Sequence, residues 1–373
     1  MALYGLPDIA DAADVSAGSQ IAAVTPYAQI FFGPGVVHRI GEMASGLGAL
    51  RPAVLCTPGR GLADGAAIAG LLPGDPLIVP SAVMHTPVHI SDAAAEQVAQ
   101  HGADLLVSVG GGSAVGLGKA LTKRLGLKHI AIPTTYAGSE MTPILGETKD
   151  GDKLTIRDDA LRPCGVIYDP ELMTSLPGKI AAASGMNAMA HALEALTVSS
   201  DPDIVRAARR SIDVFADALP SIVAYPDDSK ARTRALYAAW LAAYCLAEVP
   251  MALHHKLCHA LGGAYDMPHA LTHAAVLPHS IGYNLPACPE AQIAMRGSLG
   301  DHPARALFNL VSELGLPTRL ADLGLPEDGI AVVARAACAN PYANPRAFDE
   351  GAITELLRQA WLGARPKMET SHA

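Results

Sequence analysis

Asp104-Leu-Leu-Val-Ser-Val-Gly-Gly-Gly-Ser113 decides how the first half of this chain folds. From Asp104 to Val109 the run is almost continuously apolar, as a parallel strand covered on both faces must be. It stops at three glycines and a serine, and the stretch from Ala114 to Leu125 opens directly after it as a helix. A strand, a glycine turn and a helix N-terminus in that order aim unpaired backbone N–H groups and the positive end of the helix dipole at one point. Gly111, Gly112 and Ser113 therefore form a candidate anion site, with phosphate as the natural guest. Two familiar phosphate loops fail on spacing. Val115 stands where G-x-G-x-x-G needs its last glycine, while Ser113 and Ala120 stand where G-x-x-x-x-G-K-[ST] needs its first glycine and its hydroxyl. The second failure argues against a nucleoside triphosphate.

The flanking sequence keeps the same rhythm. Gln29-Ile-Phe-Phe32, Ala53-Val-Leu-Cys-Thr57 and Pro76-Leu-Ile-Val79 read as short apolar strands separated by helical stretches, and His129-Ile-Ala-Ile-Pro133 follows the glycine-loop helix. Thr134-Thr-Tyr-Ala-Gly-Ser-Glu140 comes next, placing Thr134, Thr135, Tyr136 and Ser139 at the carboxyl end of a strand, where open α/β sheets bind ligands. Two such loops at one sheet edge predict a dinucleotide. Val166-Ile-Tyr-Asp169 reads as the last strand, and Leu176-Pro-Gly178 breaks the pattern. The expected fold is α/β plus all-α: a Rossmann-like parallel-sheet dinucleotide-binding domain over residues 25–178, then a C-terminal helical domain over 179–373.

The helical half carries the histidines. Of the 14 in the chain, His254, His255, His259, His269, His273 and His279 crowd into one short stretch. A lone histidine is usually a core or interface residue; a cluster of this density points to a site. His255 and His259 stand four apart in a helix read from Ala252 to Leu261, so both rings share a face, and Gly262-Gly263 is expected to end that helix. His269 follows a proline and can fold back onto the pair. An earlier apolar helix carries Asn187 and His191 four apart, with Glu194 a turn further, as a partner for the cluster. Asn344-Pro-Arg346 is read as opening the last helix.

With 373 residues, 50% of them hydrophobic and 17% charged, the chain has material for two cores and no segment of disordered composition. The longest uncharged helical run, Leu236 to Ala247, is too short to span a bilayer. Asp8, Asp11 and Asp14 without a Lys or Arg give the N-terminus the wrong polarity for a targeting peptide, and six cysteines without C-x-x-C pairing fit reduced thiols, so a cytoplasmic location is expected. A net charge of -9 argues against a nucleic-acid partner and requires any anionic substrate to meet a local cationic pocket. No membrane partner is expected, and a homodimer is the ordinary expectation.

Gly-Gly-Gly-Ser-Ala-Val-Gly-Leu-Gly-Lys119, Thr-Thr-Tyr-Ala-Gly-Ser-Glu-Met-Thr-Pro-Ile144, Ser-Gly-Met-Asn-Ala-Met-Ala-His191 and His-His-Lys-Leu-Cys-His259 together resemble the iron-containing (group III) alcohol dehydrogenase superfamily, and within it the maleylacetate reductase branch. The resemblance runs from Phe31 to Trp361. It implies an active site in the cleft between the two domains. Metal-dependent members hold a dication with one Asp and three His; here Asn187 stands at the Asp position and His191, His255 and His269 at the others. The superfamily Asp in the glycine loop is Gly116. Both departures match the branch, which is thought to work without metal, so no metal is expected. An amide lacks the charge that draws a dication, although three imidazoles suit Zn²⁺.

The resemblance implies reduction by NADH or NADPH of the conjugated C=C bond of maleylacetate to give 3-oxoadipate, in the degradation of aromatic compounds. His259 or His191 is expected as proton donor, with His255, His269 and Asn187 shaping the pocket. The substrate is a small dicarboxylate, and Lys256 and Arg157 are candidate clamps, beside Tyr136 and Ser139. Where NAD-specific relatives place an Asp, this chain has Thr57-Pro-Gly-Arg60, so a 2′-phosphate is not repelled; Thr57, Arg60 and Lys153 join the candidate cofactor contacts. Two other readings stand beside this one: a metal-dependent NAD(P)-linked alcohol or polyol dehydrogenase of the same superfamily, and a non-catalytic dinucleotide-binding protein.

Overall fold

A computed structural model describes residues 20–25, 27–150, 152–340 and 342–367. The chain forms two compact units: one runs to Leu176 and takes in Arg232–Leu236, the other begins at Pro177 and holds the remainder. The break therefore falls at Leu176, just before the Pro177-Gly178 pair.

Among the described residues, nine strands lie in the first unit: β1 (Ile21–Val24), β2 (Gln29–Phe32), β3 (Pro52–Leu55), β4 (Leu77–Val79), β5 (Leu105–Gly110), β6 (Lys128–Pro133), β7 (Ile144–Lys149), β8 (Asp152–Arg157) and β9 (Gly165–Tyr168). Seven of them form one sheet in the order β1-β2-β9-β6-β5-β3-β4, parallel except for β1. Four helices cross over it: α1 (Ile40–Gly46), α2 (Arg60–Ala69), α3 (Val88–His101) and α4 (Gly112–Leu125). Burial on both faces explains the unbroken apolar run of β5. Leu105, Val107 and Val109 pack with Ile40, Met43 and Ile68, whereas Leu106 packs with Val98, Leu117 and Leu121.

The connection from β3 through α2 leads to β4 on one flank, while that from β5 through α4 leads to β6 on the other. Two adjacent strands whose connections diverge leave a crevice at their carboxyl ends, the general ligand position of open α/β sheets. The sequence reading did not find β1 or the β7–β8 hairpin. Ile21 to Val24 pair antiparallel with β2, and Ile144 pairs with Arg157 in a ladder whose β7 strand alternates half-buried and buried positions up to Thr148.

The second unit is helical, with α7 also contributing Arg232–Leu236 to the first unit: α5 (Gly178–Val198), α6 (Pro202–Ala224), α7 (Ser229–Glu248), α8 (Leu253–Tyr265), α9 (His269–Asn284), α10 (Pro289–Leu299), α11 (Pro303–Glu313), α12 (Gly329–Cys338) and α13 (Glu350–Leu362). No single helix among the described residues is long and apolar enough to cross a membrane.

Two helix boundaries correct the sequence reading. α8 runs through Gly262 and Gly263 and ends at Asp266, which takes the left-handed conformation with φ 49. A glycine permits a left-handed cap without forcing one. Leu257 and Leu261, buried against Val276 and Val333, hold the helix past the pair. The last helix starts at Glu350, capped by the Asp349 side chain, which accepts the Ala352 N–H. Asn344 precedes a proline, which disfavours helical backbone there. It instead exchanges amide hydrogen bonds of 3.0 and 2.8 Å with Asn284 and reaches the Leu253 N–H at the start of α8.

Candidate active site

α5 is buried around almost its whole circumference, and Asn187, His191 and Glu194 are among its buried residues. Polar groups in that setting need partners. One Glu194 carboxylate oxygen accepts the backbone N–H of His254 at 2.6 Å, satisfying an orphan donor in the first turn of α8. The other lies 2.6 Å from His255 Nδ1. With Nδ1–H donated to the carboxylate, His255 presents Nε2 as a lone pair, 2.8 Å from His191 Nδ1. The two rings stack, with centroids 4.9 Å apart. Asn187 Oδ1 is buried without a hydrogen-bond partner among the described residues.

His259, one turn beyond His255, and His269, the first residue of α9, are both exposed. Their rings lie parallel to within 21° with centroids 6.4 Å apart, and His255 is 6.4 Å from His259. His269 thus lies against His259, the outer member of the pair. Behind them, His254 Nδ1 meets Ser280 Oγ at 2.9 Å and His254 Nε2 meets His273 Nδ1 at 2.9 Å. Burial pushes both the His254 and His273 imidazoles well below their ordinary value, so they are neutral. The sequence assigns no roles to His254, His273 and Ser280, and places Glu194 only on the helix face that partners the cluster. The signal for Glu194 was its place three residues after His191, on the same helix face.

The dinucleotide candidates lie in the first unit. Gly111 precedes α4 and Gly112 is its first residue. A Cβ on Gly111 would come within 2.9 Å of the Thr135 side chain, whereas one on Gly112 would meet no protein atom within 4 Å. Gly112 and half-buried Ser113 thus leave an open place at the helix N-terminus. The Thr134 N–H donates to Gly110 O at 3.0 Å, drawing the β6 loop against the glycine turn. Thr57 follows β3, and Arg60 begins α2 with its side chain exposed; both stand at the divergent end of the sheet with the glycine turn. A Cβ on Gly116 would come within 2.6 Å of Thr86 Oγ1, which explains why this position carries no larger side chain.

The substrate candidates have varied surroundings. Tyr136 is fully buried beside Arg232, and burial raises its phenol above the ordinary value. The Ser139 carbonyl accepts from Lys119 Nζ at 2.6 Å. Lys119 also donates to Thr142 Oγ1 at 2.8 Å and Ile144 O at 2.9 Å, and burial pushes its ammonium down to about 7. Arg157 is exposed at the end of β8; the Lys153 side chain lies outside the described residues. Lys256 is exposed on α8 with Nζ 5.2 Å from the Tyr342 ring centroid.

Residues 27–170 match the family described as iron-containing alcohol dehydrogenase, and residues 181–361 match the Fe-containing alcohol dehydrogenase family, C-terminal. The chain is 48% identical over 345 residues to a maleylacetate reductase of Sphingobium indicum, covering 91% of this chain and 97% of that one. Among solved structures, the maleylacetate reductase of a Rhizobium species superposes with TM-score 0.88 at 43% identity, covering 94% and 100% of the two chains. An iron-containing alcohol dehydrogenase of Corynebacterium glutamicum superposes with TM-score 0.86 at 35% identity, covering 90% and 95%.

These matches correct the expectation of a metal-free site, because a family of iron-containing enzymes implies a bound metal. The donor set accommodates one. Asn187 Oδ1 is orphaned in the interior, and the His191 Nδ1 and His255 Nε2 atoms converge to 2.8 Å with Glu194 behind His255. A carboxylate holding the far nitrogen of an imidazole is the usual outer support of a metal-bound histidine. The departures at Asn187 and Gly116 suggested a metal-free site, but the buried Glu194 carboxylate supports the donor set through His255.

Proposed function

The chain belongs to the iron-containing alcohol dehydrogenase family, and on that premise we infer that it reduces maleylacetate to 3-oxoadipate with a reduced nicotinamide dinucleotide. The observation that carries this is the 48% identity to a maleylacetate reductase across 91% of the chain. Hydride added to the C=C bond conjugated to the ketone builds negative charge on the ketone oxygen as an enolate, and a proton must then reach the α-carbon.

Asn187, His191, His255 and His269 are the residues that would hold the family's metal, which when bound supplies Lewis-acid polarisation of the ketone oxygen. This chain's own groups supply the rest. Glu194 fixes the tautomer of His255 and thereby sets which atom faces His191. His259, exposed and one turn beyond His255, is suited to exchanging a proton with solvent and is the proposed donor to the α-carbon. Lys256 on the same helix is the proposed partner of a substrate carboxylate.

Gly111, Gly112, Ser113, Thr134, Thr135, Thr57 and Arg60 are proposed to hold the dinucleotide at the divergent end of the sheet. No carboxylate follows β3 in the Thr57-Pro-Gly-Arg60 turn, so both NADH and NADPH are proposed to serve. A homodimer working in the cytoplasm completes the proposal. The test is consumption of NADH and of NADPH with maleylacetate set beside simple aldehydes, using protein reconstituted with Fe²⁺ or Zn²⁺. Turnover of the aldehydes with none of maleylacetate would overturn the assignment.

A further inference from the structure

α8 and α9 bring a second set of soft donors together behind the His255 face. His254, Cys258 and His273 each offer one ligand atom, and these atoms lie within 4.8 Å of one another. All three residues are at most 2% exposed. His254 and Cys258 stand four apart on α8 and so share a face, while His273 comes from α9. His254 Nε2 is 2.9 Å from His273 Nδ1 and 3.8 Å from Cys258 Sγ.

Ser280 fixes the protonation of this set. Its hydroxyl lies 3.2 Å from Val276 O and 3.1 Å from Leu277 O, so its single hydrogen goes to that carbonyl pair. With the hydrogen placed there, Ser280 Oγ accepts from His254 Nδ1–H at 2.9 Å. His254 is thereby held with its Nε2 lone pair facing Cys258 and His273. Metal-ligating imidazoles show the same arrangement, with one nitrogen for the ion and the other N–H tied to an acceptor. Leu253, Leu257, Leu261 and Val276 seal the set from water. His273 Nε2 is also buried without a hydrogen-bond partner among the described residues, so hydrogen bonding alone leaves the cluster incomplete.

We propose that His254 Nε2, Cys258 Sγ and His273 Nδ1 form a second metal site, separate from the Asn187, His191, His255 and His269 set, that takes a borderline ion such as Zn²⁺. Two imidazole nitrogens and one sulfur suit Zn²⁺ and reject the hard cations Mg²⁺ and Ca²⁺. Binding releases the Cys258 thiol proton, because the thiolate is the ligand, and leaves the His273 proton on Nε2. No electron is transferred. Since all three donors are buried, the ion enters as the chain folds. The site does not depend on which substrate the enzyme reduces.

The test is expression of the full chain in medium supplemented with Co²⁺ or with Zn²⁺, followed by absorption spectroscopy and elemental analysis. Cobalt on a thiolate gives an intense sulfur-to-cobalt charge-transfer band in the near ultraviolet, which a site of nitrogen and oxygen donors cannot give. Wild type is expected to show the band and to carry one equivalent of metal more than Cys258→Ser and His254→Gln. Circular dichroism establishes that at least one of these variants is folded. A His191→Ala variant, which strips the first site, is expected to keep the band. A wild type without the band, or a band that survives in both Cys258→Ser and His254→Gln, would overturn the proposal.

Discussion

Glu194 and His255 are joined across 2.6 Å between buried side chains, and the same carboxylate holds the His254 backbone N–H at 2.6 Å with its other oxygen. The pair fixes both where α8 begins and which nitrogen of His255 faces His191. Glu194→Gln keeps an acceptor for one of these N–H groups but turns an amide donor toward the other. Loss of such outer support typically costs tenfold to a hundredfold, so kcat is expected to fall by roughly that factor. Dinucleotide affinity is expected to stay within about twofold, because the glycine loop is untouched. Equal losses in both would mean that Glu194 acts on the fold as a whole.

The glycine loop gives a cleaner contrast. A Cβ at Gly112 meets no protein atom, whereas one at Gly111 meets Thr135 at 2.9 Å. Gly112→Val is therefore expected to fold normally and to bind NADH at least tenfold more weakly, because its side chain enters the place proposed for the pyrophosphate. Gly111→Ala is expected to lower stability through the clash with Thr135. Calorimetric titration with NADH beside thermal unfolding separates the two; unchanged NADH affinity in Gly112→Val would make the loop only a turn.

What the sequence disclosed follows a physical division. Strands β2, β5 and β6 were legible because burial on both faces makes the apolar run unbroken, and the loops after β5 and β6 because glycines and hydroxyls there have few structural uses. β1 and the β7–β8 hairpin were not legible, since short half-exposed strands lack that contrast. The helix spacing placed His191 with Asn187 and His255 with His259, but it carried no information on partners. That Glu194 reaches across to His254 and His255, over 60 and 61 positions in the chain, is a property of how α5 packs near α8. The Gly262-Gly263 misreading has the same origin, because tertiary packing decided where a permitted stop was used.

Lys256 tests the proposed charge on the substrate. In a protein of net charge -9, an exposed lysine one residue from His255 is a local cation placed for a dicarboxylate, and its Nζ lies 5.2 Å from the Tyr342 ring centroid. Lys256→Met is expected to cost about 1.5 to 3 kcal/mol in transition-state binding, a roughly tenfold to hundredfold loss in kcat/KM toward maleylacetate. A neutral enone should lose nothing comparable. Parallel losses on both substrates would assign Lys256 to the chemistry or the fold, and no loss on either would return it to the solvent.

His129 predicts how the first unit responds to acid. Its ring is buried between Ser108 Oγ at 2.7 Å and the backbone of Gly118, where an added Cβ would lie 2.3 Å from the ring. Burial, with a smaller push from Lys119, lowers its pKa from 6.5 to about 3. Between those values the unfolded chain binds a proton that the folded chain does not, so stability present above pH 6.5 is lost as the pH falls toward 3. One such group accounts for about 1.4 kcal/mol per pH unit, or up to about 2 kcal/mol between pH 6.5 and pH 5. The buried His254 and His273 act with the same sign in the second unit, so a global unfolding curve mixes the contributions. Amide hydrogen exchange in β5 and β6 reads the first unit alone. His129→Asn is expected to weaken protection at pH 7.5, through lost packing, and to flatten its decline on going to pH 5. A decline as steep as in wild type would place the acid sensitivity of this sheet on other groups.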